Sequence, residues 1–438
     1  QICYISSASI LIFLFNNSTV IIYSIYAILV KIVTIKMPTY KFYKNNIAKV
    51  FSEQINPFKK EMKGFSLNNY YEIPYIDRSY KVNNSQPVFK KNINVISFFS
   101  GAGGLDIGAQ LAGAKVISSS DFDLDSYKTI SSNNYFSHCE HFYKDIKDMS
   151  SCDYDQIIKK NKTSKLILIG GPPCQPFSKA GYWVTHKNRL GNEDPRNMIG
   201  NYLRMIDELK PDGFILENVE SLLHPKNINA VDTIKESIDK LGYNFIFYKA
   251  NAADFGVPQK RKRVFIIASK NKIIHLPKTT HGDLIDIEGD NSLQLHEPTI
   301  NWIGKFQSSN YFELEESMEG KTYEKEVKQI PPGKNYFSLT IRDGHPNPKF
   351  EANKRFWNFL LKLHPLKPSW TIAAQPGPWV GPLHWENRRL RACEAAAIQT
   401  FPDDYNFYGS RRSIQKQIGN AVPPLLGKEI INCLLKNL

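Results

Sequence analysis

The chain has 438 residues, of which 42% are hydrophobic, so a catalytic domain and a smaller second domain can fold without disulfide support. Six scattered cysteines form no C-x-x-C pair and no His/Cys group at metal-ligand spacing, which argues against structural zinc and is typical of a reduced, intracellular protein. The formal net charge of +14 favours a polyanionic partner, although AT-rich coding also raises the lysine count.

Residues 1–36 differ in composition from the rest of the chain. Ile10–Val30 is a nearly uncharged apolar run with the length of a membrane span. The chain opens on Gln1, however, two asparagines interrupt the run, and the composition changes abruptly at Met37. We therefore interpret residues 1–36 as translated from upstream of a start at Met37, with a membrane anchor or a buried helix as alternatives. We expect no membrane association.

Residues 37–91 form an N-terminal extension without a recognisable motif, and residues 92–270 alternate between two periodicities. Short β-rich apolar runs predict strands at Asn94–Phe99, Lys115–Ser119, Leu166–Ile169, Phe214–Leu216, Phe245–Tyr248 and Val264–Ala268. Amphipathic stretches predict helices at Leu105–Ala112, Asn197–Leu209, Ile228–Leu241 and Leu425–Leu435. This alternation predicts an α/β fold with a doubly wound, mostly parallel sheet.

Residues 271–387 lose this rhythm. They are rich in proline, glycine and aromatic residues and hold five of the six tryptophans, most of which we expect in a core. We predict a separate, smaller and irregular domain here. Helical patterning returns in residues 388–438, which we expect to pack back on the sheet and complete the catalytic domain.

A glycine-rich segment, Phe99–Gly104, follows the first predicted strand and opens a helix. Glycines at such a turn let a ligand approach the backbone, and helix N–H groups point outward there. Asp121 follows the first glycine by about 20 positions, at the end of the next strand, as a ribose ligand would. These residues alone fit a ligand-free turn or a nicotinamide dehydrogenase as well.

The segment Gly170–Ser178, with the sequence GGPPCQPFS, places Cys174 on a loop after a predicted strand. Doubly wound folds bind ligands at this edge of the sheet. Two prolines stiffen the approach and restrict where the thiol points. An isolated cysteine is usually a small buried hydrophobe, but this setting predicts a nucleophile.

The loop resembles the nucleophile motif of the DNA cytosine-5 methyltransferases. Further segments resemble motifs of that family in order and spacing: Asn94–Gly104, Asp121-Phe122, Asp145, Glu217-Asn218-Val219, Gln259–Arg263 and Gln417–Pro423. The resemblance extends from Asn94 to the C-terminus. It implies a Rossmann-like methyltransferase that uses S-adenosylmethionine, releases S-adenosylhomocysteine, needs no metal and acts on duplex DNA, whose sequence the irregular domain recognises.

The resemblance also assigns residues. It implies catalytic roles for Cys174, Glu217, Gln259, Arg261 and Arg263. It implies cofactor contacts from Phe99, Gly101, Gly103, Gly104, Leu105, Asp121, Phe122, Asp145, Pro173, Asn420 and Val422. We expect DNA contacts from Gln175, Ser178, Arg342, Thr371 and Arg388.

The chemistry explains the residue types. Carbon 5 of cytosine is a poor nucleophile until a thiolate adds at carbon 6, and Cys174 would supply that thiolate. A thiol with a pKa near 8.5 is only a few per cent ionised at neutral pH, so positive charge helps, and Arg261 is a candidate. By the resemblance, Glu217 binds cytosine N3 and the exocyclic amine, which requires a pKa raised by desolvation. The cytosine must leave the helix.

Two sequence details refine this picture. In a strand, Gln259, Arg261 and Arg263 share one face, which can serve the active site, while the intervening lysines share the other. The segment Arg389–Glu394 resembles the helix motif that braces the recognition domain, but Cys393 stands where the family usually has arginine. This departure puts the local salt bridge in doubt.

Other functions remain open at this point. A tRNA cytosine-5 methyltransferase would share the Cys174 loop, and a catalytically silent DNA-binding regulator should lack Cys174 or Glu217, both of which are present. An exocyclic amino-methyltransferase would need an Asn/Asp-Pro-Pro-aromatic motif instead. We expect a bacterial, cytoplasmic monomer in a restriction-modification system, with a cognate endonuclease as a genetic rather than a physical partner.

Overall fold

The computed structural model describes residues 75–80, 92–161, 165–173, 198–270, 272–290, 292–307, 313, 316–377 and 379–438. The apolar segment 1–36 and the predicted site residues Cys174, Gln175 and Ser178 lie outside the described residues. Within the described ranges, no helix is long and apolar enough to cross a membrane. The described cysteines are free thiols: Cys139, Cys152, Cys393 and Cys433.

A central sheet organises the described part of the chain. Its strands are β1 (Ile93–Phe98), β2 (Lys115–Asp121), β3 (Glu140–Tyr143), β4 (Lys165–Gly170), β5 (Gly213–Val219), β6 (Asn244–Asn251) and β8 (Lys262–Ser269). They lie in the order β3-β2-β1-β4-β5-β8-β6. Strands β1 to β5 are parallel, whereas β8 runs antiparallel to both β5 and β6. The predicted doubly wound, mostly parallel fold is confirmed.

Helices cover the sheet and extend beyond it. Those between strands of the central sheet are α1 (Gly104–Leu111), α2 (Leu124–Ser132), α3 (Asp155–Lys160), α4 (Ile199–Leu209) and α5 (Ile228–Lys240). Later ones are α6 (Leu284–Gly289), α7 (Ile300–Ile303), α8 (Glu324–Gln329), α9 (Ala392–Ile398), α10 (Arg411–Asn420) and α11 (Pro424–Leu435). The C-terminal helix returns to the first one, since a Cβ at Gly108 would lie 2.8 Å from the Gly427 carbonyl carbon.

Short elements complete the description. Two-residue strands pair as β7 (Gln259–Lys260) with β11 (Ser369–Trp370) and β9 (His281–Gly282) with β10 (Gln294–Leu295). The β7·β11 pair joins the region predicted as the recognition domain to the segment that precedes β8. The pairing therefore holds that region next to the residues that lead into β8.

The interior follows the sequence pattern. All six residues of β1 are buried, as a strand covered on both faces requires. Helix α4 packs against the sheet through Tyr202, Met205 and Ile206, and none of these three side chains is exposed to solvent. The Tyr202 hydroxyl donates a hydrogen bond of 2.8 Å to the Ile215 carbonyl, so this buried polar group has a partner.

The region predicted as a recognition domain has an apolar core of its own. It includes Val327, Ile330, Tyr336, Leu360 and Leu383, and aromatic rings meet edge to face around it. Asp77–Leu438 as a whole forms one compact unit. The boundaries at residues 270 and 387 stay predictions.

Candidate active site

A cavity of about 360 Å³ opens at the carboxyl ends of β1, β2 and β5. This volume lies within the range of small-ligand pockets, and the site is where a doubly wound sheet binds its ligand. We call it the sheet-end cavity. Its walls come from the glycine-rich turn after β1, the turn after β2, residues 171–173 after β4, the end of β5, and α10 with the residues that follow it.

The glycine-rich turn is shaped by left-handed backbone. Phe99, Gly101 and Gly103 have φ angles of 53°, 55° and 76°. A Cβ at Gly101 would meet no atom closer than the Phe99 carbonyl oxygen at 4.0 Å, so glycine keeps space open beside the backbone. A Cβ at Gly104 would instead collide with the Val422 carbonyl oxygen. The turn thus leaves room for a ligand on one side and packs against the C-terminal motif on the other.

Asp121 is fixed at the rim of the cavity. Its Oδ2 accepts a hydrogen bond of 2.8 Å from the Gly101 amide, and its Oδ1 accepts one of 2.8 Å from the Asp123 amide. The neighbouring Phe122 ring is 58% exposed and lines the same cavity. A rigid carboxylate beside an open aromatic face suits a ligand that carries hydroxyl groups and a planar ring.

Glu217 and Arg263 form the charged wall of the cavity. Arg263 Nε lies 3.0 Å from Glu217 Oε1, because β5 and β8 pair in a register that places Arg263 opposite Val219. Burial raises the pKa of Glu217, and Arg263 and Arg261 partly oppose that rise. A carboxyl held in this way can give up and take back a proton.

The segment that leads to Cys174 lies against this pair. Asn218 Nδ2 donates a hydrogen bond of 3.3 Å to the Pro172 carbonyl, and a Cβ at Gly171 would lie 3.1 Å from Glu217 Oε2. Pro173 also lines the cavity. Pro173 is the last described residue of this segment and directly precedes Cys174 in sequence. The described part of the segment therefore ends beside Glu217.

Gln259 and Arg261 are buried and Lys260 and Lys262 are exposed, which matches the predicted alternation, but neither Gln259 nor Arg261 lines the cavity. Arg261 Nη2 donates to the carbonyls of Gly419 at 2.9 Å and Asn420 at 3.2 Å. Gln259 donates to Gln399 Oε1 at 2.8 Å. Both side chains therefore bind residues of neighbouring segments and do not face the cavity.

Most of the predicted cofactor residues meet in one place. Those that line the sheet-end cavity are Phe99, Gly101, Gly104, Leu105, Asp121, Phe122, Pro173, Asn420 and Val422. Gly103 and Asp145 do not line it. Gly103 is the N-cap of α1, and Asp145 caps a 3-10 turn by accepting a hydrogen bond of 3.1 Å from the Lys147 amide.

Of the predicted DNA ligands within the described residues, two are exposed and one is not. Arg342 is exposed, with its guanidinium 5.9 Å from the Phe337 ring centroid, and the exposed Thr371 donates its hydroxyl hydrogen bond to the Lys260 carbonyl. Arg388 is only 9% exposed, and its guanidinium binds Glu394 in bidentate fashion at 2.7 and 2.8 Å and Glu386 at 2.9 Å. Its prediction as a DNA ligand is corrected to a buried structural ion pair.

That ion pair also answers the question raised by Cys393. Both carboxylate oxygens of Glu394 are bound by Arg388, and Oε2 further accepts the Arg391 amide at 2.9 Å. Arg391 in turn pairs with Glu316. The salt bridge is therefore present without an arginine at position 393, because the Arg388 guanidinium supplies it.

Sequence reasoning missed three charged residues of the cavity wall: Lys416, Asp123 and Asp106. Lys416 on α10 pairs with Asp123 at 2.7 Å, and nothing in the sequence links positions so far apart. Asp106 in the first turn of α1 is fully buried, and burial raises the pKa of its carboxyl to about 7. Among the described residues, no group of three or more His, Cys, Asp or Glu could hold a metal ion.

Comparisons with known proteins agree with this geometry. The family model of the C-5 cytosine-specific DNA methylases matches residues 93–436. The type II methyltransferase M.SacI of Streptomyces achromogenes is 36% identical over 78% of this chain and 93% of its own. The type II methyltransferase M1.HphI of Haemophilus parahaemolyticus is 30% identical over 80% and 88%.

A likeness to solved structures bears on the fold alone. An E. coli prophage protein solved as a candidate DNA modification methyltransferase superposes with a TM-score of 0.54 at 21% identity, covering 79% of this chain and 99% of its own. The family match covers the strands, the sheet-end cavity and the segment with Cys174. The chain therefore belongs to the family of C-5 cytosine-specific DNA methylases.

Proposed function

We propose that this chain methylates carbon 5 of a cytosine flipped out of a specific duplex DNA sequence, with S-adenosylmethionine as methyl donor and Cys174 as covalent nucleophile. We further propose that it protects host DNA in a type II restriction-modification system, as the names of its relatives suggest. The observation that carries the proposal is the Glu217–Arg263 pair, which shares a cavity with the glycine-rich turn and with Pro173, the neighbour of Cys174.

The cavity fits the cofactor. The open space at Gly101 and the amides at the start of α1 suit a carboxylate, the Asp121 carboxylate suits ribose hydroxyls, and the exposed Phe122 ring suits an adenine face. S-adenosylmethionine, when bound, supplies an electrophilic methyl group. Asn420 and Val422 close the same wall.

The chain's own groups then account for the rest of the chemistry. The Cys174 thiolate forms a bond to cytosine C6 while Glu217 gives its proton to N3, so the electron pair gained by the ring raises the nucleophilicity of C5. After C5 has gained the methyl group, it loses its proton to a base, and the sulfur–C6 bond breaks to return the thiolate. Glu217 then recovers its proton from N3. Arg263 holds the Glu217 carboxyl in place throughout.

The experiment is methyl transfer from labelled S-adenosylmethionine to plasmid DNA, followed by bisulfite mapping. We expect 5-methylcytosine at one sequence context. Glu217→Gln should abolish most of it, whereas Glu220→Gln, which changes an exposed carboxyl paired with Lys249 just after β5, should not. A tRNA transcript serves as the competing substrate. Methylation of tRNA alone, or of neither nucleic acid, contradicts the proposal.

A further inference from the structure

A second cavity, of about 670 Å³, lies between α10 and the segment that follows β11. We call it the arginine cleft. Arg389, Arg411 and Arg412 line it, together with Gln415, and none of its described lining residues is acidic. Arg411 is neutralised in part by Glu313 at 2.9 Å, so the wall keeps a net positive charge. Such a wall attracts anions.

The two cavities lie at different parts of α10. Lys416, Gln417 and Asn420, towards the C-terminal end of the helix, line the sheet-end cavity, whereas Arg411, Arg412 and Gln415, towards its N-terminal end, line the arginine cleft. A Cβ at Gly419 would clash with the backbone of Ala374, which lines the arginine cleft, so the helix packs closely against this wall. The two cavities share no lining residue, so the arginine cleft is distinct from the sheet-end cavity.

Contacts within the fold explain Arg411 at the start of α10, which binds Glu313, Gln415 and the Leu390 carbonyl, but they do not explain its neighbour Arg412. The two arginines occupy the first two positions of the helix, whose first turn carries no acidic residue. Positive charge at a helix N-terminus opposes the helix dipole. Arg412 is exposed and has no ion-pair partner among the described residues. Burial lowers the pKa of Arg389, and repulsion by Arg411 lowers it further. An anionic ligand would relieve each of these costs.

The surroundings of the arginine cleft favour a polymer over a small anion. Its rim residues Gln375, Pro376 and Gly377 are exposed, and its floor is apolar, with Ile372 and Leu383. The exposed Thr371 immediately precedes the cleft in sequence. An open, basic channel with an apolar floor suits the phosphates and sugars of a nucleic-acid backbone.

We propose that the arginine cleft binds backbone phosphates of duplex DNA, with Arg389 and Arg412 as ligands. The proposal rests on the proposed function, because it takes duplex DNA as the substrate. Arg388 is buried, so we assign the phosphate contacts of this region to its neighbour Arg389 and to Arg412 instead. Because phosphate contacts carry no base identity, the arginine cleft would set affinity and register and leave the choice of sequence to other residues.

The test is the salt dependence of DNA binding. Affinity of the full chain for a labelled duplex is measured against KCl concentration, with S-adenosylhomocysteine present. Each lost phosphate contact should flatten the slope of log affinity against log salt by about one. We therefore expect a change of about one for Arg412→Gln and about two for the double variant with Arg389→Gln. Arg412→Lys should keep the wild-type slope.

The matched control is Lys235→Gln, which removes one positive charge from α5, a helix that lines neither cavity. Its slope should equal that of the wild type. If Arg412→Gln and the double variant also keep the wild-type slope while the wild type methylates DNA, the arginine cleft is not a phosphate site and the proposed function stands. If the wild type neither binds nor methylates duplex DNA, the proposed function itself is contradicted, and the cleft proposal that rests on it is contradicted with it.

Discussion

The Glu217 carboxyl lies where burial and two arginines act on its pKa in opposite directions. Because burial prevails and raises that pKa, more of the carboxyl is protonated at neutral pH than for an exposed glutamate. Proton donation to N3 should weaken as pH rises through this raised pKa. We expect Glu217→Gln to lower the single-turnover methylation rate by about 10²- to 10⁴-fold.

The pH profile separates this role from a structural one. The wild-type rate, measured with saturating cofactor, should fall on the alkaline side of the Glu217 pKa. The residual rate of Glu217→Gln should lack that fall, since an amide does not titrate. An alkaline decline of the same shape in both proteins would assign it to another group.

Glu394 is a second test at this scale. Its carboxylate is completely buried and bound by Arg388 through two hydrogen bonds. Removing one partner of a buried ion pair typically costs about 3–5 kcal/mol, but Arg388 would keep Glu386 as a partner at 2.9 Å. We therefore expect Glu394→Gln to lower the free energy of unfolding by at most about 3 kcal/mol in urea titrations. Glu324→Gln, which breaks an exposed pair with Lys328, should leave the midpoint unchanged.

Cys393→Arg should bring no gain. Both oxygens of Glu394 already have donors, so an added guanidinium at position 393 would find no open acceptor on that carboxylate. We expect no increase in melting temperature and no increase in methylation rate. An activity raised manyfold by this substitution would show that the bracing salt bridge is incomplete in the native chain.

Which arginine reaches which carboxylate could not be predicted from the sequence. The alternation predicted from Gln259 to Arg263 matches the burial of these residues, but the register of β8 on β5 decides that Arg263 meets Glu217 in the cavity. Arg388 was predicted as a DNA ligand because an arginine pair at the end of the predicted recognition domain suits phosphate contacts, but the structure pairs it with the buried Glu394. Pairings of this kind depend on tertiary packing, which spacing does not encode.

Among the elements, α10 and the turn after β2 face each other across the sheet-end cavity through Lys416 and Asp123. Lys416 is 40% exposed and Asp123 is 26% exposed, so the pair is worth at most about 1 kcal/mol. We expect Lys416→Met to speed dissociation of S-adenosylhomocysteine by about two- to fivefold. Stopped-flow measurements at low and high salt would show the effect shrinking with salt.

Lys144→Met is the matched control, because the Lys144–Asp153 pair has similar exposure but lies outside the cavity. It should leave the dissociation rate unchanged. Asp123→Asn should match Lys416→Met, and the double variant should be no faster than either. Equal acceleration by Lys144→Met would mean that the effect reflects general stability and not closure of the cavity.

Six of the seven strands of the central sheet were predicted with bounds, as were the helices α1, α4, α5 and α11, whereas β3, α2, α3 and α10 were not. β3 was missed because Glu140–Tyr143 is an edge strand without buried residues, so it shows neither an apolar run nor a clean alternation. The reversed direction of β8 was not foreseen, since an apolar run does not reveal strand direction. Both of these strand features depend on the neighbouring strands.

At the scale of the whole molecule, Asp106 should shape the dependence of stability on pH. Its folded-state pKa of about 7 lies above the ordinary value of 3.8 because the carboxyl is fully buried. A raised pKa means that its contribution to stability is fully present below pH 3.8 and is lost as pH rises through about 7. The corresponding free energy is about 4 kcal/mol.

We therefore expect Asp106→Asn to exceed the wild type in free energy of unfolding above pH 7, by up to about 4 kcal/mol, and to lose that advantage towards pH 4. Urea titrations of the cofactor-free protein across this range measure it. Asp239→Asn, on α5, should track the wild type. An Asp106→Asn variant less stable than the wild type at pH 8 would show that the ionised carboxylate is stabilised in the fold.

The sequence also limited what could be said of the molecule as a whole. It predicted a ligand site at the carboxyl end of the sheet because the motifs follow strand ends there, and nine of the eleven residues predicted to contact the cofactor line one cavity. It could not show the arginine cleft, because Arg389 and Arg412 become neighbours only when α10 packs beside the segment that follows β11.

The most direct test of the central claim uses duplex DNA that contains 5-fluorocytosine. Fluorine at carbon 5 cannot leave as a proton does, so the bond between Cys174 and carbon 6 should persist after methyl transfer. With S-adenosylmethionine present, we expect a protein–DNA adduct that survives denaturation, and no adduct with Cys174→Ser. An adduct of undiminished yield with Cys174→Ser, or no adduct with the wild type on DNA that it methylates, would contradict covalent catalysis by Cys174.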